Sequence, residues 1–206
     1  MNAPRTPESR CFAAVPLPSG CKAELDARMR SLRAELPFRT WPHPLDLHIT
    51  LMFLGAVAED RLPAVQEALA AAAVRQAPFP LAVGRLGFFG SPASPRVLFA
   101  ELAGDRTALS ALAADVTSRL SALGFPAEDR PYSPHITLAR RYQGGGDPGS
   151  LIRAAAERDW AEPLPFDADS VVLYRSHLGC SPMYEPLATF PMKSEKSGKT
   201  TLFSER

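Results

Sequence analysis

Hydrophobic residues along this chain recur with two different periods, and the switching between them lays out the fold. Alternation with period two predicts strands over 10–16, 46–54, 79–89, 96–102, 133–141, 166–174 and 184–191. Helical spacing places Leu25, Met29, Leu32 and Leu36 on one face of a helix over 21–35. The same spacing recurs for Leu62, Val65, Leu69 and Ala72 over 59–74, and for Leu109, Leu112, Val116 and Leu120 over 105–123. A shorter helix is predicted over 150–160. Pro16, Pro18 and Gly20 end the first strand, Gly55 stops the second, and Gly124 stops the third helix. Between them, 37–46 reads as a loop carrying Trp41 and His43, and 90–95 as a hairpin turn. Each half of the chain thus offers a strand, then a helix, then a pair of strands. An α+β fold with pseudo-twofold symmetry follows, with two antiparallel sheets lining a central groove and the helices outside. The domain spans 10–192, flanked by polar tails at 1–9 and 193–206.

Two of the strands carry the same tetrapeptide. His48-Ile49-Thr50-Leu51 returns as His135-Ile136-Thr137-Leu138. On a strand, residues i and i+2 share a face, so Ile and Leu point to the core while His and Thr point away from it. Two imidazoles and two hydroxyls are thereby free to line one groove. Histidines titrate near neutrality, so such a pair can serve as general acid and general base on opposite sides of a phosphorus centre. Threonine hydroxyls can donate to phosphoryl oxygens where negative charge develops. A single H-x-T-x is most often an ordinary strand with a half-buried histidine, and the exact repeat is what raises it above that reading.

Composition narrows the field without pointing to chemistry of its own. At 206 residues with 46% hydrophobic and 22% charged residues, the chain is long enough for one substantial core. A net charge of +1 gives no global attraction to polyanions and leaves only local basic sites for a phosphate or an RNA end. Cys11, Cys21 and Cys180 form no C-x-x-C pair, which suits a reducing cytoplasm. No signal peptide and no membrane-spanning run is present in the sequence. The glycine run 144–149 lacks the G-x-x-x-x-G-K-[ST] arrangement of a P-loop and reads as a flexible connection. His43, flanked by Pro42 and Pro44, and His177 read as surface loop residues. No H-x-H, H-x-x-x-H or carboxylate cluster accompanies either tetrapeptide, so a metal-dependent reaction is not expected.

Four stretches carry a resemblance to a known family. They are 10–16 (Arg10-Cys11-Phe12-Ala13-Ala14-Val15-Pro16), Trp41 through Gly55 with the first tetrapeptide, Pro134 through Arg140 with the second, and Leu173-Tyr174-Arg175-Ser176 followed by Tyr184. With these, the chain resembles the 2H phosphoesterase superfamily and, within it, the RNA 2′,3′-cyclic phosphodiesterases, also called 2′-5′ RNA ligases. The resemblance implies the bilobal fold, hydrolysis of a terminal 2′,3′-cyclic phosphate to a 2′-phosphate, reversible 2′-5′ ligation by microscopic reversibility, and no cofactor. It implies His48 as proton donor, His135 as proton acceptor, and Thr50, Thr137 and Arg140 as phosphate-binding residues. Strict alternation, however, puts Arg140 on the Ile136 face, away from the groove, and only a bulge or the strand's end would turn it inward. Phe12 and Phe89 are read either as platforms under the terminal base or as core, and Tyr184 as a groove-lining residue. Two other functions keep the fold: action on a small nucleotide such as ADP-ribose 1″,2″-cyclic phosphate, and a non-catalytic nucleotide or RNA-end binding module. The partners expected are RNA ends or small cyclic-phosphate nucleotides, with no membrane, and the protein is expected to be a monomer in the cytoplasm.

Overall fold

The computed structural model describes residues 8–193. In chain order the elements are β1 (Glu8–Pro16), α1 (Ser19–Glu35), β2 (Phe38–Thr40), β3 (His48–Ala58), α2 (Leu62–Ala73), β4 (Phe79–Ser91), β5 (Ser94–Gly104), α3 (Arg106–Ala122), β6 (Ile136–Tyr142), α4 (Pro148–Asp159), β7 (Leu164–Ala168), β8 (Ser170–Ser176) and β9 (Tyr184–Pro191). Short 3-10 turns at Pro44–Asp46 and Glu59–Arg61 lead into β3 and α2.

The strands form two antiparallel sheets, ordered β3-β1-β8-β9 and β2-β6-β5-β4-β7. Leaving aside the edge strand β2, the two orders correspond position by position, with the tetrapeptide strands β3 and β6 in equivalent places. The connectivity is not that of two consecutive halves. After β3 the chain crosses to build β4 and β5 of the second sheet, and only the final pair, β8 and β9, returns to the first. The stretch 166–174, expected as one strand, is therefore two. β7 pairs with β4, β8 pairs with β1, and Asp169 between them marks the passage from sheet to sheet.

The helices pack in two pairs, one on each sheet. α2 and α3 pack on each other, with α2 against β8 and β9 and α3 against β3, whereas α4 lies against β4 and β5 with α1 beside it and β7. One contiguous core unites both sheets and all four helices, including Leu25, Leu32, Ile49, Leu69, Leu109, Leu120, Ile136, Leu138 and Trp160. The helices begin where the sequence supplies caps. Asp105 accepts from the Ala108 N–H at 2.8 Å to open α3, and Asp147 accepts from the Ser150 N–H at 3.1 Å to open α4, just inside the glycine run.

Two boundaries differ from the alternation pattern for one reason. β3 does not stop at Gly55, because Leu54 is bulged and Gly55 takes φ +71°, which lets the strand run on to Ala58. That extension pairs with Glu8 and Ser9, so β1 begins two residues before the expected tail boundary, with Ser9 buried and its hydroxyl donating to Glu59 at 2.6 Å. Residues 1–7 and 194–206, where tails are expected, lie outside the described residues. The predicted loop 37–46 also holds β2, whose Phe38 packs edge-on to Tyr142 with ring centroids 5.2 Å apart.

Glycine tests this packing at two contrasting places. Gly104 ends β5 at φ +90°, and a Cβ there would lie 2.6 Å from the Pro80 carbonyl oxygen. Gly104→Ala should lower the unfolding free energy in urea by about 1–3 kcal/mol or more, whereas Gly20→Ala, in α1 with nothing within 4 Å of a new Cβ, should raise it by about 0.4–1 kcal/mol. Equal losses in both would contradict the described backbone.

Candidate active site

Both tetrapeptides sit where the sheets face each other, and each is followed by the same irregularity. In β3 the register against β1 jumps between Thr50 and Met52, leaving Leu51 as the extra residue. In β6 the register against β5 jumps between Thr137 and Ala139, leaving Leu138 as the extra residue. Each bulge sends two consecutive residues to the core: Leu51 with Met52, and Leu138 with Ala139. The face on which His and Thr lie then resumes one residue late, at Phe53 and at Arg140. Arg140 thus lies on the Thr137 side, and its guanidinium donates to the Thr137 hydroxyl at 3.4 Å.

The two imidazoles are fixed by the same device. His48 Nδ1 lies 2.6 Å from the Asp46 carbonyl oxygen, and His135 Nδ1 lies 2.7 Å from the Ser133 carbonyl oxygen. A carbonyl only accepts, so both rings carry their proton on Nδ1 and present Nε2 as the working nitrogen. His48 Nε2 meets the Thr50 hydroxyl at 3.0 Å. His135 precedes β6, so the residue is oriented by the loop that ends at Pro134 rather than by strand pairing.

The aromatic residues divide between the two histidines. Phe12 lies 4.7 Å from the His48 ring, with Tyr184 edge-on at 5.2 Å and Tyr174 at 6.0 Å. Phe12 is only 2% exposed, so it backs the imidazole and offers no surface to a base; the platform reading of Phe12 is corrected on that ground. It belongs to a small separate cluster with Ala14, Val172 and Tyr174, against which Tyr184 packs. Phe89 is half-buried, lies edge-on to His135 at 5.0 Å, and packs on Phe99 at 4.3 Å. Phe53, on the His48 side of β3, is 53% exposed and lies 5.9 Å from Phe12.

Three further residues tie the site together. Asp46 is buried, and its carboxylate accepts from the Met183 and Tyr184 N–H groups at 2.9–3.0 Å. The residue whose carbonyl orients His48 therefore also places Tyr184 against it. Tyr132 donates its hydroxyl to the Thr50 carbonyl at 3.1 Å, joining the loop before one tetrapeptide to the strand of the other. Met183, in the loop before β9, completes the clamp through its N–H. His43 caps the turn Pro44–Asp46 by accepting from the Leu45 N–H, and His177 lies 2.7 Å from Glu185. Cys11, Cys21 and Cys180 are all free.

A family model described as the 2′-5′ RNA ligase superfamily matches residues 18–179. The chain belongs to that superfamily. An RNA 2′,3′-cyclic phosphodiesterase of Geobacillus stearothermophilus is 38% identical over 93% of this chain, which spans only 60% of that relative's length. One of Bacillus subtilis (strain 168) is 34% identical over 88% of this chain and 95% of its own. The crystal structure of TT0787 of Thermus thermophilus superposes with a TM-score of 0.69 at 31% identity, covering 90% of this chain and 99% of that one. Among the described residues, no helix is long and apolar enough to cross a membrane, and no three His, Cys, Asp or Glu side chains gather as a metal site would require.

In this member of the 2′-5′ RNA ligase superfamily the two histidines differ in their surroundings. Burial among Phe12, Tyr174 and Tyr184 pushes His48 down to about 4, against the raising effect of its bond to the Asp46 carbonyl. Burial also lowers His135, against its bond to the Ser133 carbonyl. The charge of Arg140 lowers both, which places one guanidinium within electrostatic reach of both imidazoles. Both rings are neutral at pH 7. An unfolded histidine titrates near 6.5, so between that pH and about 4 the unfolded chain binds more protons than the folded one. Stability is therefore complete above the unfolded value and is lost as pH falls through this window. His48 should account for on the order of 2–3 kcal/mol of that loss. Urea unfolding at neutral pH and at about pH 4.5 checks it: the drop should be smaller in His48→Gln than in wild type. The same drop in both would remove His48 as the titrating group.

Proposed function

We propose that this chain hydrolyses the 2′,3′-cyclic phosphate at an RNA end to a 2′-phosphate, using two histidines and no metal. The observation that carries this reading is the repeated imidazole geometry, in which each Nδ1–H is bound to the carbonyl two residues upstream and each Nε2 is left to work. Pure binding needs no such pair of poised nitrogens. Relatives named RNA 2′,3′-cyclic phosphodiesterase support the same substrate class.

His135 Nε2 takes a proton from water as the water oxygen attacks phosphorus. The Thr50 and Thr137 hydroxyls and the Arg140 guanidinium stabilise the charge that builds on the phosphoryl oxygens. His48, protonated at Nε2 once the anionic phosphate is bound, gives that proton to the 3′ oxygen as the P–O3′ bond breaks. The products are a 2′-phosphate and a 3′-hydroxyl. With a 5′-hydroxyl of a second RNA in place of water, the same steps make a 2′-5′ linkage. Phe53 supplies the open ring on which the terminal base stacks.

One observation favours the reverse division of labour. His48 is pushed down to about 4, further than a general acid wants to be, while His135 has two aromatic rings around it against three for His48. A substrate whose leaving group needs no protonation separates the two assignments. It should partly rescue the variant lacking the acid, His48→Ala in the scheme above, and leave the other unrescued.

Each of His48→Ala and His135→Ala should lower kcat by on the order of 10²–10⁴ on an oligoribonucleotide ending in a 2′,3′-cyclic phosphate. Thr50→Ala and Thr137→Ala should each cost up to roughly 10²–10³, the scale for one oxyanion donor. EDTA should leave wild-type activity intact. Loss on chelation, restored by a divalent ion, would end the two-histidine scheme.

A further inference from the structure

The turn that leads into β3 is held more firmly than its three residues need. The Asp46 N–H donates to the His43 carbonyl at 2.8 Å and the Leu47 N–H to the Pro44 carbonyl at 3.2 Å, which is enough to close it. Leu45 is then fastened from both sides. Its N–H donates to His43 Nδ1 at 3.2 Å, and its carbonyl accepts from Lys22 Nζ at 2.6 Å. The Leu45 side chain is 59% exposed, so packing does not account for this. The carbonyl that Lys22 holds lies in one peptide plane with the Asp46 nitrogen. The next carbonyl along is that of Asp46, which orients His48 Nδ1 at 2.6 Å. Lys22, half-buried on the first turn of α1, thus fixes the peptide immediately before the one that holds the His48 ring.

Asp46 contributes a charge as well as a carbonyl. Its buried carboxylate accepts from the Met183 and Tyr184 N–H groups, and among the described residues no cationic side chain lies within salt-bridge distance of it. A buried carboxylate without an ion partner keeps its field in a low dielectric. That field reaches His48, Lys22, Tyr174 and Tyr184. On His48 the charges converge from several elements. Lys22 of α1 and Arg140 of β6 act against a positive ring, and Asp46 acts for it. The Tyr174 and Tyr184 phenols of β8 and β9 stay neutral, because burial raises both. Asp46 is the negative charge in this set.

Resting on the two-histidine reading given above, we propose that Asp46 and Lys22 are a pair of positioning residues for His48. Asp46 holds the ring by its carbonyl and balances the imidazolium by its carboxylate, while Lys22 fixes the turn and limits that balance. The division follows from what an acid has to do. His48 gives a proton to the departing 3′ oxygen, so it enters that step as a cation among aromatic rings. Burial disfavours such a cation, and a carboxylate tied to main-chain N–H groups offsets this without turning away when substrate enters. An unopposed carboxylate would hold the proton too long. Lys22 is the opposing charge, bound to the same turn.

Three variants test the pair through the pH dependence of His48. It is followed as the Cε1–H resonance of the free protein, assigned by its loss in His48→Gln, and as the limb that His48 gives the kcat–pH profile. Asp46→Asn keeps an acceptor for the 183–184 N–H groups and loses the charge, so the His48 midpoint should move to lower pH by about 0.5–1 unit. Lys22→Met loses a positive charge, so the midpoint should move to higher pH by about as much. Lys22→Arg keeps the charge and should titrate close to wild type. Above the limb, kcat of Asp46→Asn should lie about three- to tenfold below wild type, with KM little changed, since one unit is tenfold in the protonated fraction. The Lys22→Met shift runs towards neutral pH, so that arm decides the matter even where Asp46→Asn unfolds before His48 titrates. Shifts of the same sign in Asp46→Asn and Lys22→Met, or a Lys22→Met midpoint that stays with wild type, would overturn the proposal. A Lys22→Arg midpoint that follows Lys22→Met would overturn it too. Opposite shifts in a protein that hydrolyses no cyclic phosphate would keep the pair and discard the reaction; hydrolysis with His48 unmoved by either change would do the reverse.

Discussion

A regular strand cannot build this site. Alternation lets residues i and i+2 share a face, but the residue three further on from the threonine falls on the opposite side. The extra residue after each threonine, Leu51 in β3 and Leu138 in β6, resolves the conflict. It buries two apolar residues in succession, which deepens the core under the histidine, and returns the next residue to the groove. His and Thr share a face without that shift, but Phe53 and Arg140 reach the same face only because of it. Without it Arg140 would point into the core side, where an unpaired guanidinium is intolerable, and Phe53 would leave the groove for the interior.

The bulges are also where reading the sequence reached its limit. The tetrapeptides, the shared face of His and Thr, and the helices were legible because each rests on a local period. Helix ends fell within a few residues of the caps, Asp105 and Asp147 included. Neither bulge leaves a mark in composition, since Leu-Met and Leu-Ala read equally well as a core-facing residue followed by a neutral one. The exchange of strand pairs between sheets was hidden for a related reason. Nothing local distinguishes a hairpin that folds back on its own half from one that crosses, and Asp169 is a single polar residue in an otherwise continuous run of strand-forming residues. Asp46 and Tyr132 were illegible in another way. A polar residue in a proline-rich loop reads as solvated, and only the tertiary fold brings Asp46 to the Met183 and Tyr184 amides and Tyr132 to the Thr50 carbonyl.

That crossing has a mechanical consequence for the groove. If each half folded on itself, the two tetrapeptide strands would be joined by a hinge, and the spacing of the imidazoles would vary with it. Here β4 and β5 follow β3 in sequence yet belong to the sheet of β6, while β8 and β9 follow β6 yet belong to the sheet of β3. A single core runs beneath both sheets. Opening the groove would require separating packed surfaces, which interiors resist because they are close-packed and deform little. The Tyr132 hydroxyl bond spans the remaining gap between the loop before His135 and the strand after His48. The two imidazoles are thereby held on one packed unit, the preorganisation that the proposed two-histidine chemistry would need.

Symmetry supplies the duplicate parts, and departures from it give each part a separate use. The imidazole-to-carbonyl bonds are equivalent on both sides, so both histidines offer the same nitrogen. Their environments differ: three aromatic rings enclose His48, whereas Phe89 and Phe99 leave His135 more open. The residues that emerge from the two bulges differ more sharply still, an exposed phenylalanine on one strand and an arginine on the other. A nucleotide end is itself asymmetric, with a base on one side of the ribose and a charged phosphate on the other. Under the proposed function, a groove presenting Phe53 from one lobe and Arg140 from the other would favour one orientation, because the reverse would set the phosphate on an aromatic face and leave a guanidinium facing the base. The fold repeats its backbone device twice and sets the two copies apart by the side chain that follows each bulge, Phe53 on one strand and Arg140 on the other.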